Sequence, residues 1–166
     1  MKNLAVAFSG PSNSGKTTLI VKVAKILKKE YEVSIIKHDP SDKATFDKEG
    51  KDSWKFTQTG AEVVVMSHTR TTYFSQKQKT LHQTIEILGE FDFLLVEGLK
   101  TLSLPRISVF RNSLDESYFE VSDALAIDDS IDLDRYDIPK HLDILDLNNT
   151  KEIVEWIFKK AKRVRD

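Results

Sequence analysis

The stretch Gly10-Pro11-Ser12-Asn13-Ser14-Gly15-Lys16-Thr17 constrains the fold most. A G-x-x-x-x-G-K-[ST] pattern has physical meaning only where a strand precedes it and a helix follows it. Both flanks comply. Leu4-Ala5-Val6-Ala7-Phe8 is a short apolar run suited to a buried parallel strand. Downstream, Leu19, Ile20, Val23, Ala24 and Leu27 recur on one helical face, with Lys22, Lys25, Lys28 and Lys29 largely off it. Gly10 and Gly15 let the backbone wrap closely, so the loop formed by Gly10, Pro11, Ser12, Asn13, Ser14 and Gly15 is an anion nest backed by a helix N-terminus. The ligand class this implies is the phosphate chain of a nucleotide, with Lys16 reaching the β- and γ-phosphates and the Thr17 hydroxyl available to Mg2+.

Composition narrows the classes further. The chain has 166 residues, enough for one domain with a sizeable core, and a single globular domain over 1–166 is expected. With 40% hydrophobic and 31% charged residues, the balance is that of a soluble protein, with no membrane span. The apolar run at the N-terminus is too short for a signal-peptide core, so a cytoplasmic protein is expected. There is no cysteine, which excludes disulfides, thiolate metal sites and thiol nucleophiles. A formal net charge of −1 provides no overall field toward nucleic acid, and the basic residues after Lys159 carry no interleaved aromatics.

Further strands are expected at Val33-Ser34-Ile35-Ile36-Lys37, Val63-Val64-Val65-Met66, Phe93-Leu94-Leu95-Val96, Ile107-Ser108-Val109-Phe110 and Ala124-Leu125-Ala126-Ile127, with another at Leu142-Asp143-Ile144-Leu145. Helices are expected from Asp52 or Ser53, either of which can supply the cap, to about Thr59. Others are expected with Leu81, Ile85 and Leu88 inward and ending at Gly89, and from about Thr150 with Ile153, Val154, Ile157, Phe158 and Ala161 buried. Pro40 to Asp52 and Ser67 to Lys79 read as polar connections. The alternation gives an α/β fold, a P-loop NTPase-like three-layer α/β/α arrangement around a mainly parallel central sheet.

In such sheets ligands lie beyond the carboxyl ends of the strands. That rule selects Lys37-His38-Asp39 and Glu97-Gly98-Leu99-Lys100 as companions of the phosphate loop. Glu97 is placed to complete a magnesium shell or orient the attacking water, so Lys16 and Glu97 are the candidate catalytic pair. Gly98 allows the backbone to approach the γ-phosphate. Asp39 is a second candidate metal ligand, although Asp before Pro equally opens a turn. His38 can bind an anion or a metal, or simply hydrogen-bond in its loop. Lys37 and Lys100 either add positive charge near phosphates or stand solvated. The histidines carry no zinc-ligand spacing, and no N-K-x-D sequence reads guanine, so base choice stays open on physical grounds.

Taken together, Gly10 to Thr18 with Lys37-His38, Phe46-Asp47, Gly50-Lys51-Asp52-Ser53, Thr59-Gly60-Ala61, Val96-Glu97-Gly98-Leu99-Lys100 and Pro105-Arg106-Ile107 resemble the molybdopterin-guanine dinucleotide biosynthesis protein B (MobB) family. The resemblance covers roughly the first 110 residues, and the combination of K-H, G-K-D-S and V-E-G-L-K is more specific than the loop itself. It implies a GTP- and Mg2+-binding accessory protein with weak GTPase activity, usually a homodimer, that assists a MobA-type molybdopterin guanylyltransferase and is not that enzyme. It implies phosphate contacts from Gly10, Gly15, Lys16, Thr17 and Thr18, and magnesium held around Thr17 and Glu97. The chain departs from the family after Lys37-His38, where Asp39-Pro40-Ser41 stands in place of further histidines. Two other readings of the same residues are a small-molecule kinase, whose acceptor loop would run from His38 to Asp52, and a nucleotide-controlled dimerisation switch.

Overall fold

The computed structural model describes residues 2–165. They gather into two compact units, one formed by the chain up to His38 together with the chain from Glu90 onward, the other by Asp39–Gly89.

The larger unit is built on a seven-stranded sheet. Its strands are β1 (Leu4–Ser9), β2 (Val33–Lys37), β5 (Phe93–Glu97), β6 (Arg106–Phe110), β7 (Ala124–Ile127), β8 (Asp143–Asp146) and the short β9 (Lys162–Arg163). The order β2-β5-β1-β6-β7-β8 is parallel throughout, and β9 pairs antiparallel with Leu4 and Ala5 of β1. β1 sits at the centre with β5 on one side and β6 on the other. β5 is apolar along its length because neighbours cover both of its faces, as the continuous run Phe93–Val96 implies.

Register explains how the sheet divides. Val6 and Leu95, Phe8 and Ile107, Val109 and Ala126, and Ala126 and Leu145 are paired and therefore share a face. Onto that face pack α1 (Lys16–Leu27), through Leu19, Ile20, Val23 and Leu27, and α4 (Thr150–Lys160), through Ile153, Val154, Trp156 and Ile157. Each such side chain contributes about 2 kcal/mol by leaving water. Tyr31, Phe93 and Phe158 close one end with edge-to-face contacts at 5.2 to 5.6 Å. Trp156 is buried and donates its Nε1–H to Asp143 at 2.8 Å. On the other face, Phe110, Leu125 and Ile127 form a second cluster with Leu114, Tyr118, Phe119, Ile131 and Leu142 from the loops and 3-10 turns after β6 and β7. The result is the expected α/β architecture, a mostly parallel central sheet with flanking helices.

The smaller unit holds α2 (Asp52–Thr57), β3 (Val63–Met66), β4 (Thr71–Phe74) and α3 (Leu81–Leu88). Here one expectation is corrected. Val63–Met66 does not join the parallel sheet but pairs antiparallel with Thr71–Phe74 in a separate two-stranded sheet. A four-residue β-branched run fits either setting, and the turn that decides the matter lies in Ser67–Arg70, where Ser67 N–H donates to Arg70 O. The cap of α2 also differs. Lys51 takes the N-cap position with no side-chain bond, Asp52 lies in the first turn, and the Ser53 hydroxyl donates instead to Asp47 at 3.1 Å. α3 begins on a Thr80/Gln83 capping box and ends at Gly89, with Ile85 buried.

Candidate functional site

The site grows from the end of β1. Gly10 bends the chain at φ 134°, and a Cβ there would lie 2.4 Å from Val109 O in the adjacent strand, so only glycine fits. The loop then turns through Asn13 at φ 62° and Gly15 at φ 97°, and α1 opens at Lys16. Thr17 and Thr18 stand exposed on its first turn. Ser14 is buried beneath the loop, and its hydroxyl has no hydrogen-bond partner among the described residues. Lys16 Nζ donates to Gly10 O at 2.9 Å and Pro11 O at 2.6 Å, which holds the ammonium across the mouth of the nest. Burial lowers the Lys16 pKa; Glu97 opposes the shift and Lys37 adds to it.

Sheet register sets two of the expected companions, Lys37 and Glu97, beside the root of the loop. Phe8, Glu97 and Lys37 stand level across β1, β5 and β2. Lys37 Nζ meets Glu97 Oε1 at 3.0 Å, with the Glu97 side chain 13% exposed. Gly98 N–H donates to Phe8 O, and His38 N–H donates to Glu97 O at 3.0 Å. Gly98 has φ 89°, and a Cβ on it would come within 3.2 Å of His38 Cβ, so the histidine stands over this glycine. Phosphate loop, Lys37-His38 and Glu97-Gly98 thus converge within one unit.

One expected residue, Lys100, is engaged elsewhere in the same unit. Lys100 Nζ sits 3.5 Å from the centroid of the Tyr118 ring and lines a cavity of about 340 Å3 with Glu120, Asp123 and His141. Asp39 belongs to the smaller unit, where its carboxylate accepts from the N–H groups of Lys43 and Ala44 at 2.9 and 2.8 Å. Its turn-opening role is therefore in place.

Sequence reading missed two arginines. Arg111 follows β6 directly, and its Nε lies 3.5 Å from where a Cβ on Gly15 would be, so the guanidinium flanks the phosphate loop. Asp128, after β7, holds it at 3.2 Å. The Ser130 hydroxyl, more than Arg111, keeps the Asp128 carboxyl below the usual carboxylate range. Applying the strand-end rule to β6 and β7 finds both. The second is Arg106, fully buried at the head of β6, which sequence offers only as part of a motif.

A magnesium ion suits the donors present. The Thr17 hydroxyl and Glu97 carboxylate are hard oxygen ligands, and such ions take few protein ligands beside phosphates and water. Among the described residues no cluster of three or more His, Cys, Asp or Glu side chains could hold a metal by itself.

Fold and loop together define a P-loop α/β protein of the NTPase fold. The sequence matches the family described as molybdopterin guanine dinucleotide synthesis protein B over residues 5–128. The Escherichia coli (strain K12) molybdopterin-guanine dinucleotide biosynthesis adapter protein is 30% identical over 168 residues, covering 93% of each chain. Its Haemophilus influenzae counterpart is 28% identical over 163 residues, covering 92% of this chain and 86% of its own. The crystal structure of Bacillus subtilis MobB superposes with a TM-score of 0.75 at 21% identity, covering 96% of this chain and 98% of that one. The chain belongs to the MobB family.

Proposed function

We propose that this protein is a nucleotide-binding accessory of molybdopterin-guanine dinucleotide formation. It binds GTP with magnesium at the phosphate loop, hydrolyses it slowly, and acts with a MobA-type guanylyltransferase. The convergence of Lys16, Lys37 and Glu97 at the carboxyl ends of three adjacent strands is the observation that carries this reading.

The roles follow from the geometry. Phosphate oxygens would replace Gly10 O and Pro11 O as acceptors for Lys16, and the N–H groups of the loop supply the remaining donors. Thr17 and Glu97 are the residues that would hold magnesium, and the ion, when bound, neutralises charge on the phosphates. For that, Glu97 must share or leave its pair with Lys37, whose 63%-exposed side chain is free to swing toward phosphate. The reading takes 1–166 as one nucleotide-binding domain with residues 39–89 inserted between β2 and β5, and the protein as a homodimer. Phe46 at 85% and Met66 at 77% exposure give the inserted unit apolar surface that suits a protein partner.

The test is a guanylylation assay with molybdopterin, GTP and the guanylyltransferase, with and without this protein. The expected result is a higher yield of dinucleotide cofactor when it is present, and a loss of that gain with Lys16→Ala. An unchanged yield contradicts the proposal.

A further inference from the structure

Arg106 is 0% exposed, the largest fully buried side chain among the described residues. Its register partner is Ala7, so it lies beside the last residues of β1 on the face that also carries Ser9. One guanidinium nitrogen donates to Ser9 Oγ at 2.7 Å and Gly98 O at 3.0 Å; the other donates to Leu99 O at 2.8 Å and Leu102 O at 3.3 Å. Ser9 is the residue before Gly10, and Gly98 and Leu99 follow Glu97. One side chain therefore bolts the root of the phosphate loop to the loop that carries the candidate magnesium and water-positioning carboxylate.

Stability alone accounts poorly for this residue. Burying a guanidinium is costly, and its side-chain acceptors here are carbonyls and one hydroxyl rather than a carboxylate. Asp123 lies near enough to oppose the loss of charge by burial, but its Oδ2 receives the Arg106 backbone N–H at 2.8 Å. The loop it holds is also strained. Leu99 adopts φ 50° beside Gly98 at φ 89°, a left-handed conformation that a leucine keeps only when its surroundings enforce it. Two of the four acceptors are the carbonyls of this strained pair, and a third, Leu102 O, lies three residues further on.

We propose that Arg106 is a positioning residue for the nucleotide site, fixing the Glu97–Leu99 segment against the phosphate loop so that the site distinguishes a triphosphate with magnesium from a diphosphate. This rests on the reading that the loop binds nucleotide. The diphosphate is held by the loop itself, whereas the terminal phosphate and its ion need the Glu97 side of the site in register with it.

The experiment compares Arg106→Lys, Arg106→Met and Ser9→Ala with the wild type, measuring affinity for GDP and for a non-hydrolysable GTP analogue, each with and without Mg2+. Lysine keeps the charge but lacks the fork that reaches paired acceptors. Ser9→Ala removes one acceptor and leaves the arginine in place, so it serves if the Arg106 variants fail to fold. Expected is a loss of about tenfold or more in magnesium-dependent analogue affinity for the Arg106 variants and about threefold for Ser9→Ala, with GDP affinity changed by less than about twofold. Equal losses for both nucleotides, or no loss for either, overturn the positioning role. A wild type that binds neither nucleotide overturns the underlying reading as well.

Discussion

At Gly10 the chain has no room for a side chain, since a methyl group would stand 2.4 Å from Val109 O. Gly10→Ala must push β6 away from β1 or abandon φ 134°, and should cost about 2 kcal/mol or more in stability, read by urea denaturation. Lys16 makes a different prediction. Its folded-state pKa is lowered chiefly by burial, so between that value and the ordinary lysine value the unfolded chain binds more protons and stability rises with pH. Phosphate binding needs the charged ammonium, so affinity should fall with rising pH earlier than an unperturbed lysine allows. A pH series of nucleotide titrations checks this; affinity flat up to the ordinary lysine range contradicts it. Arg106 shows why some residues of the site escape a reading by residue type. An arginine heading an apolar strand looks like a solvated end, and only the fold shows its guanidinium turned inward onto Ser9, Gly98 and Leu99.

Among the elements, the strands of the large sheet and the two helices on its face were legible because their periodicity matches their burial. α1 buries Leu19, Ile20, Val23 and Leu27, with Lys22 and Lys25 exposed, and α4 buries Ile153, Val154 and Ile157. The hairpin of β3 and β4 was not legible. Thr71–Phe74 sits in a polar stretch, and pairing direction is set by a turn whose bonds are local to Ser67–Arg70. Strand-end positions of the site were readable from the rule for parallel sheets, while Lys100 shows its limit, since a place near a strand end does not fix where a flexible side chain goes. The capping box on α3 gives the prediction at this scale. Thr80→Ala removes the acceptor for Gln83 N–H and should cost about 1 kcal/mol, read as a shift of the denaturation midpoint. A shift within error would show that the helix start is held by other contacts.

For the molecule as a whole, the phosphate loop, Lys37-His38 and Glu97-Gly98 belong to one unit, and residues 39–89 form the other. Among the described residues no helix is long and apolar enough to cross a membrane. A homodimer is expected, and sedimentation should give twice the mass of the chain; a single-chain mass at micromolar concentration contradicts that part of the account. The central claim is the guanine-nucleotide site, and the most direct measurement is a competition titration of GTP against ATP in the presence of Mg2+, on the wild type and on Lys16→Ala. The account predicts GTP bound in preference to ATP by the wild type, with binding of both lost in the variant. Equal or tighter binding of ATP, or GTP binding indifferent to Lys16, would contradict it.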